Sequence, residues 1–399
     1  MHDFFELELE NLKSQKLYRD QDSLNQSLSQ RATLLNFSSN DYLGLGEMSL
    51  GSLLQKNSLD KDSLEELLSL SAGSTGARFT TGTHPVHVRV ENLIAEWKSE
   101  EKAMLFSSGY LANLGAISAL IAKNDVVFID ELAHSCMWDA LRITNTRKFI
   151  FKHNDMAHLD SLLEKYRAKY AQAFILTEAV FSMDGDTAPL QELESFTEKY
   201  ECFIYLDEAH STGIYSSTGA GLLGDYMERN LVNNKSQFIQ MGTFSKALGL
   251  EGAYIAASAS IINFLRNKAR SYVYSTASSP LIVKLAELNI NRVIREANLR
   301  EKLFSNIQYF SDLLSSLAPG NDFTNTDLHW TNFGGPIFTI RFQSLDLCLQ
   351  LSERLLDAGF FVNAIRPPTV KTPRLRICIS ARHEQEQIYN FFQALIPFW

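Results

Sequence analysis

The chain has 399 residues, of which 45% are hydrophobic and 21% are charged, and its formal net charge is −9. This length predicts two packed domains, and this composition is typical of a folded globular protein. The negative charge argues against a general nucleic-acid binder and against a protein attracted to anionic membranes.

The N-terminal sequence predicts a helix that ends near Tyr18, followed by a polar connection to the segment 36–40. The first residues are acidic and lack the basic and apolar regions of a signal peptide, so a cytoplasmic protein is expected. The cysteines are widely spaced and none forms a C-x-x-C pair, which predicts buried free thiols and no metal site. They are Cys136, Cys202, Cys348 and Cys378.

From about residue 100, short apolar runs alternate with amphipathic helical patterns such as 156–169 and 190–199. This alternation predicts βαβ units and a mostly parallel sheet that is buried on both faces. The uncharged stretch 103–122 is long enough to cross a bilayer, but its polar residues favour a strand, a turn and a helix. No membrane span is therefore expected. The predicted strands are 103–107, 126–130, 149–153, 174–178, 203–207 and 238–242.

The pattern changes after a helical region at about 280–310. A smaller α+β unit is indicated by strands at 336–341, 360–365 and 374–380 and helices at 345–358 and 383–395. We therefore expect an α/β protein with an N-terminal segment at 1–50, a large domain at 51–290 and a small C-terminal domain at 291–399.

Polar or glycine residues lie at the ends of five of the predicted strands. In open α/β sheets, ligands bind beyond the carboxyl ends of the strands, so these residues predict one shared site. A glycine turn that opens a helix can bind a phosphate through its N–H groups, although most such turns are only connections. His134 alone would more often be a capping or core residue. The strand-end residues are Gly109 with Tyr110, His134, Ser182, Asp207 with His210, and Thr243 with Lys246.

Lys246 lies in a small, nearly uncharged segment that follows the predicted strand ending at Asp207. An isolated lysine is usually a surface residue. A poorly solvated lysine, however, has a lowered pKa and can form a Schiff base. A carboxylate at the end of a buried strand is what an enzyme using pyridoxal 5'-phosphate (PLP) needs beside the pyridine nitrogen. The two residues together predict a PLP site.

Motifs of other enzyme classes are absent or incomplete. The run Gly73-Ser74-Thr75-Gly76-Ala77-Arg78 lacks the lysine of a Walker A loop and follows no predicted strand, which argues against a nucleoside triphosphatase. Gly44-Leu45-Gly46 is not a dinucleotide-binding fingerprint. The sequence contains neither H-E-x-x-H nor G-x-S-x-G, which argues against a zinc hydrolase and an α/β-hydrolase.

Several segments together resemble the α-oxoamine synthases, which are fold-type I PLP enzymes that join an amino acid to an acyl thioester with loss of carbon dioxide. The resemblance runs in order from Asn36 to the C-terminus, although single motifs recur in other PLP enzymes. Ser245 stands where the family often has glycine. The matching segments are 36–45 (NFSSNDYLGL), 177–184 (TEAVFSMD), 206–213 (LDEAHSTG), 243–249 (TFSKALG) and Tyr274-Ser275-Thr276.

The resemblance implies a role for each matching residue. Lys246 would be the Schiff-base lysine and catalytic base, Asp207 would contact the pyridine nitrogen, and His134 would stack on the ring and orient the substrate. Members of the family are homodimers, so two of the cofactor residues would reach the phosphate of the neighbouring subunit. The other implied cofactor residues are Gly109, Tyr110, Ser182, His210 and Thr243, with Ser275 and Thr276 at the neighbour. The implied substrate residues are Arg19, Asn40, Arg366 and Thr369.

Segments 152–155 and 365–370 most resemble the branch of the family that condenses L-alanine with a pimeloyl thioester. The thioester carrier, coenzyme A or acyl carrier protein, stays open. A sister enzyme that uses glycine or serine is the nearest alternative. A non-catalytic partner subunit is a second alternative. A PLP aminotransferase is a third alternative, but it does not explain the segments that resemble acyl synthases.

Overall fold

The computed structural model describes residues 2–15, 17–18, 34–57, 60–316 and 329–398. These residues form two compact units. The smaller unit takes the described residues within 1–39, 306–379 and 383–399, and the larger takes those within 40–305 and 380–382.

In chain order, the strands are β1 Leu35–Asn36, β2 Lys102–Phe106, β3 Val126–Asp130, β4 Arg147–Phe151, β5 Ala173–Glu178, β6 Phe203–Asp207, β7 Phe238–Thr243, β8 Ala253–Ala257, β9 His329–Asn332, β10 Ile337–Arg341, β11 Phe360–Phe361, β12 Asn363–Ile365 and β13 Arg374–Cys378. The α-helices are α1 His2–Ser14, α2 Leu50–Lys56, α3 Lys61–Ser69, α4 Pro85–Trp97, α5 Gly109–Leu120, α6 Ser135–Thr144, α7 Met156–Tyr166, α8 Leu190–Tyr200, α9 Leu222–Glu228, α10 Ala259–Lys268, α11 Arg270–Val273, α12 Pro280–Arg295, α13 Ala297–Ser316, α14 Leu345–Asp357 and α15 Gln385–Leu395.

The larger unit is built on a seven-stranded sheet with the order β2-β8-β7-β6-β5-β3-β4. The strands from β7 to β4 pair in parallel, as predicted. Strand β8 is antiparallel to both β2 and β7 and was not predicted. Its sequence, AYIAA, is mostly alanine, which has a low strand propensity and gives little local signal.

Helices cover both faces of this sheet because successive strand residues point to opposite sides. In β3, Val127 and Ile129 pack in a core with residues of α5, α6 and α10. Val126 and Phe128 pack in a second core with residues of α7, α8 and α9. The continuous apolar strands are therefore buried on both faces, as predicted.

The uncharged stretch 103–122 forms β2, a turn and α5, which confirms the predicted strand, turn and helix. Across the described ranges, none of the helices has both the length and the apolar character that crossing a bilayer requires. The cysteines are buried free thiols, as predicted.

The smaller unit contains a four-stranded antiparallel sheet, β12-β13-β10-β9, and a parallel pair of β1 with β11. With α14 and α15 it confirms the predicted α+β unit. The predicted strand 360–365 is divided at Val362, because Phe360–Phe361 pairs with β1 whereas Asn363–Ile365 pairs with β13. Helix α1 ends at Ser14, earlier than predicted.

A buried ion pair joins the residue after α4 to the residue after β6. The side chains of Lys98 and Glu208 are 1% and 0% exposed, and Lys98 Nζ also donates a hydrogen bond to the carbonyl of Ala220. Glu208 in turn accepts a hydrogen bond from Leu223 N at 3.0 Å. Because Glu208 directly follows Asp207, this pair fixes the chain next to a predicted site residue.

Replacing Lys98 with methionine is expected to lower the free energy of unfolding by about 3–5 kcal/mol, because Glu208 would stay buried without its counter-charge. Urea denaturation followed by circular dichroism measures the change. Lys123→Met removes an exposed lysine and should change stability by less than about 0.5 kcal/mol. Equal unfolding midpoints for the two variants would contradict the argument.

Candidate active site

Four parallel strands of the larger unit end in polar residues at one edge of the sheet. They are Asp130 of β3, Glu178 of β5, Asp207 of β6 and Thr243 of β7. In the β5–β6 pairing, Glu178 lies directly opposite Asp207. The turns after these strands carry the predicted site residues, so the sheet gathers them at the edge where ligands bind in such folds.

Asp207 is a buried carboxylate with fixed hydrogen bonds. Its Oδ2 accepts a hydrogen bond from Asn113 Nδ2 at 2.7 Å, and its Oδ1 accepts one from Ala209 N at 2.9 Å. Burial raises the pKa of Asp207, whereas the positive charge of Lys246 and these two hydrogen bonds act to lower it. The surroundings thus hold a carboxylate with a defined orientation and a cation nearby.

Asn113 of α5 was not among the predicted site residues. Its Oδ1 accepts a hydrogen bond from Tyr205 at 2.8 Å, and its Nδ2 also donates to Cys136 Sγ at 3.0 Å. Asn113 is completely buried, so its amide group forms hydrogen bonds with these protein groups and not with bulk water. A fully buried amide on an otherwise apolar helix requires partners, and that was the available sequence signal.

Replacing Asn113 with alanine is expected to weaken PLP binding by about 10-fold or more, because a hydrogen bond to a charged group contributes about 1.5–3 kcal/mol. Titration of the cofactor-free protein with PLP, followed by absorbance, measures the affinity. Asn263→Ala, on an exposed face of α10, is the matched control and should bind PLP normally. Unchanged affinity in Asn113→Ala would contradict a role for this network.

Glu178 was also not among the predicted site residues. Its Oε2 accepts a hydrogen bond from Ser182 N at 3.2 Å, while its buried Oε1 has no hydrogen-bond partner among the described residues. Burial raises the pKa of Glu178 well above its usual value, and the charge of Asp207 raises it further. Two adjacent carboxyl groups rarely ionise together, and these shifts favour the charge on Asp207 over Glu178.

His134 caps helix α6, and its ring lies within electrostatic reach of Asp207 and Lys246. Its Nδ1 accepts a hydrogen bond from Cys136 N at 3.3 Å, which places the ring proton on Nε2. Desolvation lowers the pKa of His134, the charge of Asp207 opposes this, and the charge of Lys246 lowers it again. The exposed face of a neutral, fixed imidazole is suited to stacking on a planar ligand.

Lys246 lies in the turn that follows β7. It is half-buried, and its charge shifts the pKa values of Asp207, Glu178 and His134, so the amine lies within electrostatic reach of all three. Gly249 N closes the turn by donating a hydrogen bond to Lys246 O at 2.9 Å. Gly249 has a φ of +66°, and any side chain there would overlap the backbone of Gly46.

The start of α5 lies next to the buried, polar end of β7. A Cβ atom on Gly109 would lie only 3.7 Å from Thr243 Cβ. The Thr243 hydroxyl donates to Gly252 O at 2.8 Å and accepts from Ser245 N at 3.2 Å. Tyr110, on the same first turn, donates to Asp139 Oδ2 at 2.6 Å. Free N–H groups at a helix start beside small hydroxyl residues suit a phosphate.

A chain of hydrogen bonds connects Asn40 with His210. Tyr42 donates to Asn40 Oδ1 at 3.2 Å, and its hydroxyl lies 2.7 Å from His210 Nδ1. Both His210 and Tyr42 are buried. Tyr42 therefore positions two predicted site residues, a role that depends on a contact between distant segments.

The remaining predicted residues lie elsewhere or outside the described residues. Thr276 forms a β-bridge with Ala77, which places it and Ser275 beside the glycine-rich segment of the larger unit. Arg366 and Thr369 belong to the smaller unit, where Thr369 N donates to Arg366 O at 3.1 Å. Arg19 lies outside the described residues.

The chemistry of this donor set fits PLP. A fixed carboxylate suits a protonated pyridine nitrogen, an amine suits the aldehyde, and a helix start suits the phosphate. The buried Oε1 of Glu178, which has no hydrogen-bond partner among the described residues, suits a further polar group on this side of the site. These residues are Asp207, Lys246, Gly109, Thr243, His134 and Glu178.

The sequence and the fold are similar to those of known proteins. Residues 32–395 match the family described as aminotransferase class I and II. A protein from Acaryochloris marina, provisionally named 8-amino-7-oxononanoate synthase, is 37% identical and aligns over 91% of this chain and 89% of its own length. A serine palmitoyltransferase from S. paucimobilis, solved with a bound PLP–myriocin aldimine, is 26% identical with a TM-score of 0.80, covering 92% and 88% of the two chains. An 8-amino-7-oxononanoate synthase from Francisella tularensis is 25% identical with a TM-score of 0.74, covering 91% and 97%.

Proposed function

This chain belongs to the aminotransferase class I and II family, and we propose that it condenses L-alanine with a pimeloyl thioester to give 8-amino-7-oxononanoate, carbon dioxide and the free carrier thiol. The observation that carries the proposal is the pairing of Lys246 with a buried Asp207 whose orientation Asn113 fixes. The name of the 37% identical relative supports the choice of substrates.

PLP, when bound, supplies a protonated pyridine ring that accepts electrons from the α-carbon of the amino acid. Asp207 would hold the proton on the pyridine nitrogen, because a buried carboxylate stabilises a positive charge beside it. Lys246 Nζ would hold the cofactor and, once freed by the amino group of the substrate, would serve as the base for the α-carbon proton.

The other residues orient the reactants. The neutral imidazole of His134 would stack on the cofactor ring and orient the thioester. In the smaller unit, Arg366 supplies a guanidinium, which can bind the carboxylate of alanine through two parallel hydrogen bonds. Asn40 and Thr369 complete the proposed substrate residues.

We also propose that the enzyme acts as a homodimer in the cytoplasm. In this arrangement Ser275 and Thr276 contact the phosphate bound by the partner subunit. The pairing of Thr276 with Ala77 supports this role, because it holds two hydroxyl residues beside a glycine-rich segment.

Product analysis by mass spectrometry tests the proposed function. The purified protein is incubated with PLP, with pimeloyl-coenzyme A or pimeloyl-acyl carrier protein, and with alanine, glycine or serine in separate reactions. We expect 8-amino-7-oxononanoate from alanine. Faster condensation with glycine or serine would instead indicate a sister α-oxoamine synthase, and the serine palmitoyltransferase fold makes serine the first alternative to test. A colourless protein that borohydride leaves unchanged would indicate a non-catalytic subunit.

A further inference from the structure

His153 follows β4 and forms hydrogen bonds to two buried carboxylates. Its Nδ1 lies 3.0 Å from Asp130 Oδ1, and its Nε2 lies 2.6 Å from Asp186 Oδ2. The imidazole also packs edge-on against Phe181, with 4.3 Å between the ring centroids. Because each ring nitrogen faces a carboxylate oxygen, both must donate, and His153 is an imidazolium.

The two carboxylates belong to the turns on which the proposed cofactor residues lie. Asp130 is the last residue of β3 and opens the turn that leads to His134. Asp186 closes the turn that contains Ser182, where Phe181 N donates to Asp186 O at 2.8 Å. The next residue, Asn154, connects the same two carboxylates. Its backbone N donates a hydrogen bond to Asp130 Oδ2 at 3.0 Å, and its Nδ2 donates one to Asp186 Oδ2 at 2.8 Å.

We propose that His153 is a positioning residue of the active site, which as an imidazolium clamps the turn carrying His134 to the turn carrying Ser182. These two turns follow neighbouring strands, and the ring joins their carboxylates directly. Losing the clamp frees both turns together, which lowers the precision with which the site holds a planar ligand. The identity of the planar ligand rests on the proposed function, whereas the contacts of His153 with the two turns do not.

The charges around His153 agree with a protonated ring. Burial lowers the pKa of His153, but the hydrogen bonds to Asp130 and Asp186 outweigh burial and raise the pKa to about 10. Glu131 accepts a hydrogen bond from His153 N at 3.2 Å and adds a further negative charge on the β3 side. On the α7 side, Asp155 caps the helix and His158 Nδ1 accepts a hydrogen bond from Lys152 N at 3.1 Å.

Hydrogen exchange of the cofactor-free protein tests the clamp without any substrate. In His153→Gln, amides in the turns 131–134 and 179–187 are expected to exchange about 10-fold faster than in the wild type, since local opening sets the exchange rate. His158→Gln is the matched control, because the His158 imidazole accepts a hydrogen bond from Lys152 N, while the hydrogen bond to Asp155 comes from the His158 backbone and is kept in the variant. Both turns should keep their wild-type rates. If His153→Gln does not fold, Asp186→Asn serves as the test variant, because it keeps the shape of the side chain and removes its charge. The amides of both turns should then exchange at rates between those of the wild type and those expected for His153→Gln.

The pH dependence of stability is a second readout. Because the pKa of folded His153 lies above its usual value of 6.5, the ion pairs stabilise the fold fully below pH 6.5 and are lost as the pH rises through about 10. The unfolding midpoint of the wild type should therefore fall between these two pH values more steeply than that of His153→Gln. PLP affinity should fall about 10-fold in His153→Gln and remain normal in His158→Gln.

Unchanged exchange in both turns in His153→Gln and Asp186→Asn would overturn the proposal. Uniformly faster exchange across the whole chain would also overturn it, because His153 would then be a general stability residue. If exchange and PLP affinity change as expected but the wild type forms no condensation product, the proposed function fails and the clamp stands.

Discussion

Lys246→Ala is expected to abolish condensation, with a fall in kcat of about 1,000-fold or more. The substitution removes both the amine that tethers the cofactor and the base that takes up the α-carbon proton, and loss of a general base alone costs about 100- to 10,000-fold. Because the substitution shortens a half-buried side chain within a closed turn, the fold itself should persist.

Product formation and covalent labelling measure the effect. Borohydride should fix PLP onto the wild-type protein, and peptide mass spectrometry should place the label on Lys246. Lys268→Ala, at the exposed end of α10, should keep wild-type turnover and labelling. Condensation at the normal rate by Lys246→Ala would falsify the proposed mechanism.

Much of the fold could be predicted because the parallel strands are continuous apolar runs. Strands β3 and β6 have the predicted bounds, since each is bordered by polar residues that mark its ends. Strand β8 gave no comparable signal, because three of its five residues are alanine and its pairing with β2 and β7 is non-local. The division of 360–365 between two sheets likewise depends on which partner each half meets.

The residues of the candidate site likewise include some that the sequence predicted and some that it did not. The positions of Asp207, His134 and Lys246 at this edge of the sheet could be predicted, because Asp207 ends a strand and the other two residues follow one. Asn113 and Tyr42 were not, because their roles depend on single contacts between segments far apart in the chain. Glu178 was not, because its position opposite Asp207 depends on the pairing of β5 with β6. Local sequence does not report whether a buried amide meets a carboxylate or a thiol.

The two adjacent carboxyl groups of the site, Glu178 and Asp207, differ in their electrostatic surroundings. Burial raises the pKa values of both Glu178 and Asp207, but only Asp207 has the side-chain amide of Asn113 as a hydrogen-bond donor. The negative charge therefore resides on Asp207, opposite the proposed pyridine nitrogen. Without a cationic ligand this buried charge is costly, so the site is arranged for binding at the expense of stability.

Asp207→Ala is expected to weaken PLP binding by about 10- to 100-fold, because a charge-assisted hydrogen bond of about 1.5–3 kcal/mol is lost. Asp207→Asn keeps the shape of the side chain and removes only its charge, so it should lower kcat strongly at saturating PLP, since the ring nitrogen would lose its proton. PLP titration and product formation measure the two effects. Asp312→Ala, an exposed residue of α13, should change neither.

Stability measurements on the cofactor-free variants distinguish a cofactor-binding role of Asp207 from a structural role. The raised pKa of Asp207 means that its charge disfavours the folded state at neutral pH, and this cost disappears as the pH falls and the carboxyl is protonated. Asp207→Asn should therefore keep or raise the unfolding midpoint at pH 7 while losing activity. If Asp207→Asn unfolds more readily than the wild type and binds PLP normally, Asp207 is a structural residue and the cofactor assignment fails.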